Sequence, residues 1–210
     1  TKQILISDYG VEAQRITVAL PGTDRAPRAQ GSGGAPHLLA VGSVVPRKAY
    51  DVLLQALKRC GDLDWSLTIA GSLERAPDYA QKLLAQANDR TRFVGEVSDA
   101  ELKELYARSD LFVMSSHFEG YGMVLGEAMV RGLPIVMTRG GAMVDTVPDV
   151  AALKVAPGDA SALGIALRQA ITDRALRQSL SDASYAAGQA LPTWDETAQR
   201  IAHVLEGVAR

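Results

Sequence analysis

Short apolar runs separated by segments of helical length are what most constrain this chain. RITVAL (15–20), PHLLAVG (36–42), WSLTIAG (65–71), TRFVG (91–95), DLFVMS (110–115), PIVMT (134–138) and AALKVA (151–156) recur along it. They lack strict polar alternation, so they read as strands buried on both faces rather than as strands with one wet face. Between them KAYDVLLQALKRC (48–60) lines up Val52, Leu53, Ala56 and Leu57, and APDYAQKLLAQAN (76–88) lines up Leu83, Leu84 and Ala87. SDAELKELYARS (98–109) opens on Ser98 with Glu101 three residues later, the pattern of a capping box. Strand and helix alternating at this rhythm predict βαβ units: an α/β domain with a Rossmann-like parallel β-sheet flanked by helices. In such sheets ligands collect where strand C-termini meet helix N-termini. Gly42, Gly71, Gly95, Gly120 and Gly140 each follow an apolar run.

A length of 210 residues suits one domain, or one and a fraction. APRAQGSGGAP (26–36) is a loop by composition and separates an opening segment, 1–24, from the main series, 25–191. From Asp159 the text is helical. The last stretch, within 192–210, carries Ile201, Val204, Leu205 and Val208 on one stripe, so it is expected to pack on something. A net charge of −2 argues against non-specific nucleic-acid binding. The one cysteine, Cys60, cannot form an internal disulfide; it reads as packing and favours a reducing compartment. No apolar run reaches the roughly 18 residues of a membrane span, and no signal peptide opens the chain. A cytoplasmic location is expected, with peripheral attachment at the inner face of the membrane left open. The chain begins with Thr, which suggests a piece of a longer protein.

The segment SSHFEGYGMVLGEAMVRGLPIVMT (115–138) asks for more than a turn. Gly120 and Gly122 permit backbone angles closed to other residues and a close approach by a ligand. Amides near Gly122, Met123, Val124 and Leu125 are expected to lack intrahelical acceptors and to favour a phosphate or a sugar oxygen. Glu119 precedes the glycines and Glu127 lies one turn inside the following helix. A carboxylate accepts two hydroxyls at once, so each could grip a vicinal diol. Two plainer readings stand beside this one: Glu127 as a dipole-stabilising first-turn acid, and Glu119 as a solvated loop residue. Upstream, VGSVVPRKAYDVLLQAL (41–57) places Gly42 and Lys48 at the same edge, with Arg47 and Lys48 near a helix start, where cations are unfavourable unless an anion neutralises them.

EGYGMVLGEAMVRGLPIV resembles the Glu-x7-Glu segment of retaining glycosyltransferases of the GT-B architecture, particularly glycosyltransferase family 4. The segment 41–57 resembles that family's Gly-Arg-x-x-x-x-Lys-Gly diphosphate motif, with Ser43 where Arg is common and Ala49 in place of Gly. TRFVGEVSDAELKELYARSDLFVMSS (91–116), VALPGTD (18–24) and TWDETAQRIA (193–202) are similar to the stretch leading into the base pocket, to the junction between the two domains and to the closing helix. The resemblance implies the C-terminal, donor-binding half of a GT-B fold, with 1–24 as junction, 192–210 as crossover helix and the N-terminal acceptor domain absent. It implies that Glu119 contacts the donor sugar and Glu127 the ribose hydroxyls. Gly42, Arg47 and Lys48 would hold the diphosphate, and Gly95 and Val97 would lie beside the base. Tyr121, Gly122, Met123 and Val124 would line the donor. Glu119 and Lys48 would be the catalytic pair. The implied partner is a UDP- or GDP-sugar, with retention of anomeric configuration, no cofactor and no metal.

Other readings are a nucleotide-binding or regulatory module without catalysis, and a nucleotide-sugar epimerase or phosphorylase on the same scaffold, though no pyridoxal-phosphate lysine context is visible. His37, His117 and His203 are scattered, with His117 as a partly exposed loop residue. Asp62 and Asp64 read as a turn rather than a metal site, and no His, Cys or carboxylate pair has convincing ligand spacing. Ser115 and Ser116 lack the partners of a hydrolase triad. Trp65 and Trp194 read as packing anchors.

Overall fold

HLLAV (His37–Val41) forms strand β1, buried at its three central residues because helices cover both faces of the sheet. In the computed structural model, which describes residues Lys2–Val208, the later apolar runs become β2 (Ser66–Ala70), β3 (Thr91–Gly95), β4 (Leu111–Met114), β5 (Ile135–Thr138) and β6 (Ala152–Val155). The helices are α1 (Lys2–Ser7), α2 (Tyr50–Leu57), α3 (Pro77–Leu84), α4 (Asp99–Ala107), α5 (Met123–Val130), α6 (Met143–Thr146), α7 (Ala160–Thr172), α8 (Arg174–Gln189) and α9 (Trp194–Val208). The strands pair in parallel in the order β3-β2-β1-β4-β5-β6. The chain winds outward from β1 to β3 and then returns to pair β4 with β1, Leu38 opposite Leu111 and Leu39 opposite Phe112. That reversal is the topological switch point of an open α/β sheet.

Side-chain alternation splits the core in two. Leu38, Ala40, Leu67, Ile69, Leu111, Val113 and Val136 join Val52, Leu53, Ala56 and Leu57 of α2 and Leu163, Leu167 and Ala170 of α7. The intervening residues Leu39, Phe112, Ile135 and Met137 are buried as well, and Phe112 stacks on Tyr106 of α4 at 5.9 Å. Each fully buried Leu or Ile contributes about 1.5–3 kcal/mol. The central strands β4 and β5 are buried at every residue, whereas the edge strands β3 and β6 are only partly so. Ser98 caps α4 as expected: its Oγ accepts from Glu101 N (3.3 Å), and Glu101 Oε2 accepts from Ser98 N (2.8 Å).

Three expectations are corrected. RITVAL (15–20) is not a strand. Arg15 ends a single 3-10 turn, and the residues after it lack regular structure. Further on, Thr23 N donates to Pro192 O (2.8 Å) and Leu20 O accepts from Thr197 Oγ1 (2.8 Å), so this stretch bonds to the α9 end of the chain rather than to a sheet edge. On α3 the buried positions are Ala80 and Leu83; the helix stops at Leu84, which is 45% exposed, and Ala87 lies beyond it. Trp194 is no buried anchor: it is 47% exposed, and Ile201 and Leu205 on the same helix are exposed too. Trp65, by contrast, is buried and donates from Nε1 to Cys60 O (2.8 Å).

The chain forms two compact units. One is Arg25–Ala190, which contains the whole sheet and α2 to α8; the other joins the residues before Arg25 to those after Ala190. No helix among the described residues is long and apolar enough to cross a membrane.

Candidate functional site

The site forms at the C-terminal ends of β1 and β4, on either side of the switch point. Beyond β4 the chain turns through two buried serines. Ser115 Oγ donates to Lys48 O (2.8 Å), tying this turn to the loop after β1. Ser116 Oγ donates to Glu119 Oε1 (3.1 Å), and Ser116 O accepts from Thr138 Oγ1 (2.5 Å). Glu119 is held by its backbone as well: its N donates to Gly140 O and its O accepts from Ala142 N, both at 3.0 Å. It is therefore no solvated loop residue; only 8% of it is exposed.

The β1–α2 loop supplies two cations to that carboxylate. Lys48 Nζ lies 2.7 Å and Arg47 Nη1 2.6 Å from the same atom, Glu119 Oε1. Arg47 Nη1 also donates to Phe118 O (2.7 Å). Lys48 does not open α2. It closes a 3-10 turn, Pro46–Lys48, and Ala49 follows in the left-handed region (φ 51°, ψ 43°) before α2 begins at Tyr50. Gly42 makes room for the lysine: a Cβ there would lie 2.8 Å from Lys48 Cε. Gly71, at the end of β2, crosses so close that its own Cβ would meet Gly42 O at 2.2 Å. Tyr50 Oη donates to Gly42 O (2.9 Å) and steadies this crossing. Burial would raise the pKa of Glu119, but the hydrogen bond and charge of Lys48, helped by Arg47 and Ser116, outweigh it and hold the carboxyl below its usual value. Burial, with the Glu119 charge nearby, raises the pKa of the Tyr50 phenol.

Gly122 enters α5 in the left-handed region (φ 78°), an orientation glycine adopts without strain. Of the four amides expected to be free, Leu125 N is spent on Gly122 O (2.8 Å), a tight first turn. Met123 N and Val124 N, by contrast, meet no acceptor among the described residues. Met123 is exposed and Val124 half-buried. Glu127 belongs to a second group: its Oε2 accepts from Tyr106 Oη (2.9 Å). Tyr106 is buried, Arg131 lies 4.6 Å over its ring, and its phenol pKa is raised by burial and then by the Glu127 charge. Gly95 ends β3 and accepts from Gly71 N (2.8 Å); Val97 is half-buried in the loop leading to α4. Tyr121 is half-buried, and its carbonyl accepts from Thr146 Oγ1 (2.7 Å).

The structure thus gathers Gly42, Arg47, Lys48 and Glu119 into one cluster and seats Glu127 on Tyr106. Sequence reasoning missed Tyr50, Tyr106 and Thr138, and gave the two serines no part. Apart from the bond of Ser116 to Glu119, three residues on, their partners lie 8 to 67 residues away, where no local pattern marks them. His117 is an exposed loop residue. Asp62 pairs with Arg168 through two bonds of 2.6 and 2.7 Å. Among the described residues no three His, Cys, Asp or Glu side chains gather where they could hold a metal ion.

Residues 23–187 match the family described as glycosyl transferases group 1. Mannosylfructose-phosphate synthase of Agrobacterium fabrum (strain C58 / ATCC 33970) is 28% identical over 228 residues, covering 97% of this chain and 50% of that protein. Among solved structures, sucrose-phosphate synthase from Thermosynechococcus elongatus superposes with a TM-score of 0.81 at 26% identity, over 91% of this chain and 52% of that one. Anabaena Alr3699/HepE in complex with UDP-glucose gives 0.75 at 24% identity, over 81% and 48%. The chain spans about half the length of the curated relatives it matches.

Proposed function

The chain belongs to the group 1 glycosyl transferases, and from that premise we propose that it is the donor-binding half of a retaining GT-B enzyme of family 4. It would bind a nucleotide diphosphate sugar whose glycosyl group passes to an acceptor held by a partner domain. One observation carries this reading. Arg47 and Lys48 converge on a single oxygen of Glu119. Two cations against one carboxylate leave a positive charge, and four residues after Glu119 come the amides of Met123 and Val124, which meet no acceptor among the described residues. Such a surplus suits a diphosphate. The Anabaena relative, solved with UDP-glucose, supports a UDP-sugar as the donor; a GDP-sugar remains the other member of the class.

In this reading each residue has a task. Lys48, Arg47 and the amides at Met123 and Val124 stabilise charge growing on the leaving diphosphate, and the two cations are already held in place by Glu119. Gly42 leaves space for the phosphates beside the lysine stem. Glu119 orients the sugar and faces the positive charge developing at its anomeric carbon. Glu127, fixed by Tyr106, accepts the ribose hydroxyls, and Gly95 and Val97 flank the base with Tyr121 and Gly122 lining the sugar side.

Calorimetric titration of the chain with UDP, GDP, UDP-glucose and GDP-mannose at fixed ionic strength tests this. One nucleotide pair is expected to bind. Lys48→Met should weaken it about tenfold to a hundredfold, the worth of a charge-assisted hydrogen bond. Glu127→Ala should weaken it about tenfold, and the chain alone should bind donor without efficient transfer. Binding of none of the four, or no effect of Lys48→Met, would overturn the reading.

A further inference from the structure

Lys154 lies on the edge strand β6, where the neighbouring residues are apolar, yet only 3% of its side chain is exposed. Burying an ammonium is costly unless it is paired and hydrogen-bonded. Here it is fully engaged: Nζ donates to Val144 O (2.9 Å) and Val147 O (2.5 Å) and pairs with Asp149 Oδ1 (2.7 Å). An apolar side chain would fill the same position without that cost, so the charge serves the segment it grips. Val144 and Val147 bracket the end of α6, and the lysine anchors that end to the sheet.

The anchored segment braces the glutamate turn from the far side. Gly140 O accepts from Glu119 N, and Ala142 N donates to Glu119 O. Gly141 bridges Glu119, and Thr146 Oγ1 donates to Tyr121 O. Met143, buried on α6, lies where a Cβ on Gly122 would touch it at 3.5 Å. Every brace on the 119–122 turn from this side thus comes from residues 140–146, just ahead of the Lys154 anchor. The loop carrying Arg47 and Lys48 meets this turn through His117, Phe118 and Glu119, but it also has ties of its own, from Tyr50 to Gly42 O and from Ser115 to Lys48 O.

We infer that Lys154 is a positioning residue for the sugar end of the donor site, acting through α6 on Glu119 and Tyr121. The inference rests on the donor-binding reading above. It assigns the nucleoside diphosphate to the β1–α2 loop and α5, which Lys154 does not touch, and the sugar to the turn that it steadies.

The test is the pair of affinities for UDP and UDP-glucose, with GDP and GDP-mannose as the second pair, measured by calorimetry on the full chain and on Lys154→Met. The expected result is an unchanged affinity for the nucleoside diphosphate and a loss of about fivefold or more for the matching nucleotide sugar. A general loosening of the fold would lower both. If Lys154→Met fails to fold, Thr146→Val cuts the same path at its tip without disturbing the buried ammonium, and it should give the same split. Equal effects on both ligands, or none on either, in the variant that folds would overturn the inference. Binding of neither pair by the wild-type chain would instead overturn the donor-binding reading.

Discussion

At Ala49 the loop demands a left-handed backbone from a residue with a Cβ. That conformation costs about 1–2 kcal/mol. Glycine would remove the strain, but it would give up a buried methyl worth about 0.8 kcal/mol. It would also raise the unfolded chain's entropy, a further loss of about 0.4–1 kcal/mol. The effects nearly cancel, so Ala49→Gly should lie within about 1 kcal/mol of wild type in urea denaturation. Ala49→Val combines the strain with overpacking and should lose more than about 2 kcal/mol. Glu119 makes a pH prediction. Its folded pKa lies below the ordinary 4.5, so its stabilising contribution is complete above that value and is lost as pH falls through the lower, folded one. Between about pH 5 and pH 3 the stability of Glu119→Gln should therefore change less than that of wild type. Equal slopes would mean that the cation cluster contributes no linked stability.

At the scale of elements, α8 packs on α5, the helix that carries Glu127 and the amides of Met123 and Val124. Gly188 permits the approach, since a Cβ there would lie 2.4 Å from Met129 C. Gly188→Ala must push the helices apart and should cost about 1–3 kcal/mol, seen as a lowered Tm. One turn earlier, and so on the same face, Ser184 is fully buried, and its Oγ finds no hydrogen-bond partner among the described residues. Ser184→Ala removes that unsatisfied hydroxyl and should raise stability by about 1 kcal/mol. Opposite outcomes at two positions on one helix separate steric from polar effects in a single thermal-melt series. An equal loss in both would show that α8 tolerates no change there at all.

The sheet order governs the whole molecule. Because the chain reverses between β1 and β4, two loops far apart in sequence open side by side, and the cluster of Arg47, Lys48 and Glu119 bridges them. A ligand seated across that opening should stabilise the fold as a unit. At a hundred times its Kd a bound nucleotide sugar adds about 2.7 kcal/mol. For a chain of this size that corresponds to a rise in Tm of about 5–10 °C, readable by scanning calorimetry. Little or no rise at saturation would mean that the ligand binds outside this cooperative unit.

Much of this was legible in the amino-acid order, and the reason is local. Apolar runs without alternation report strands covered on both faces, and six of the seven became the sheet. Glycines at 42 and 122 report a close approach and a left-handed turn. These signals live within a few residues of one another, where backbone sterics and periodicity act. Periodicity alone could not exclude RITVAL (15–20), because whether an apolar run pairs depends on whether an edge is free to receive it. Nor could it find Tyr106 under Glu127, Thr138 behind Ser116, or Lys154 behind the glutamate turn. Each of those contacts joins residues from different elements, and only the packing of the sheet and its helices sets which side chains meet. The order of residues determined what each segment could become, while the tertiary structure decided which segments share a site.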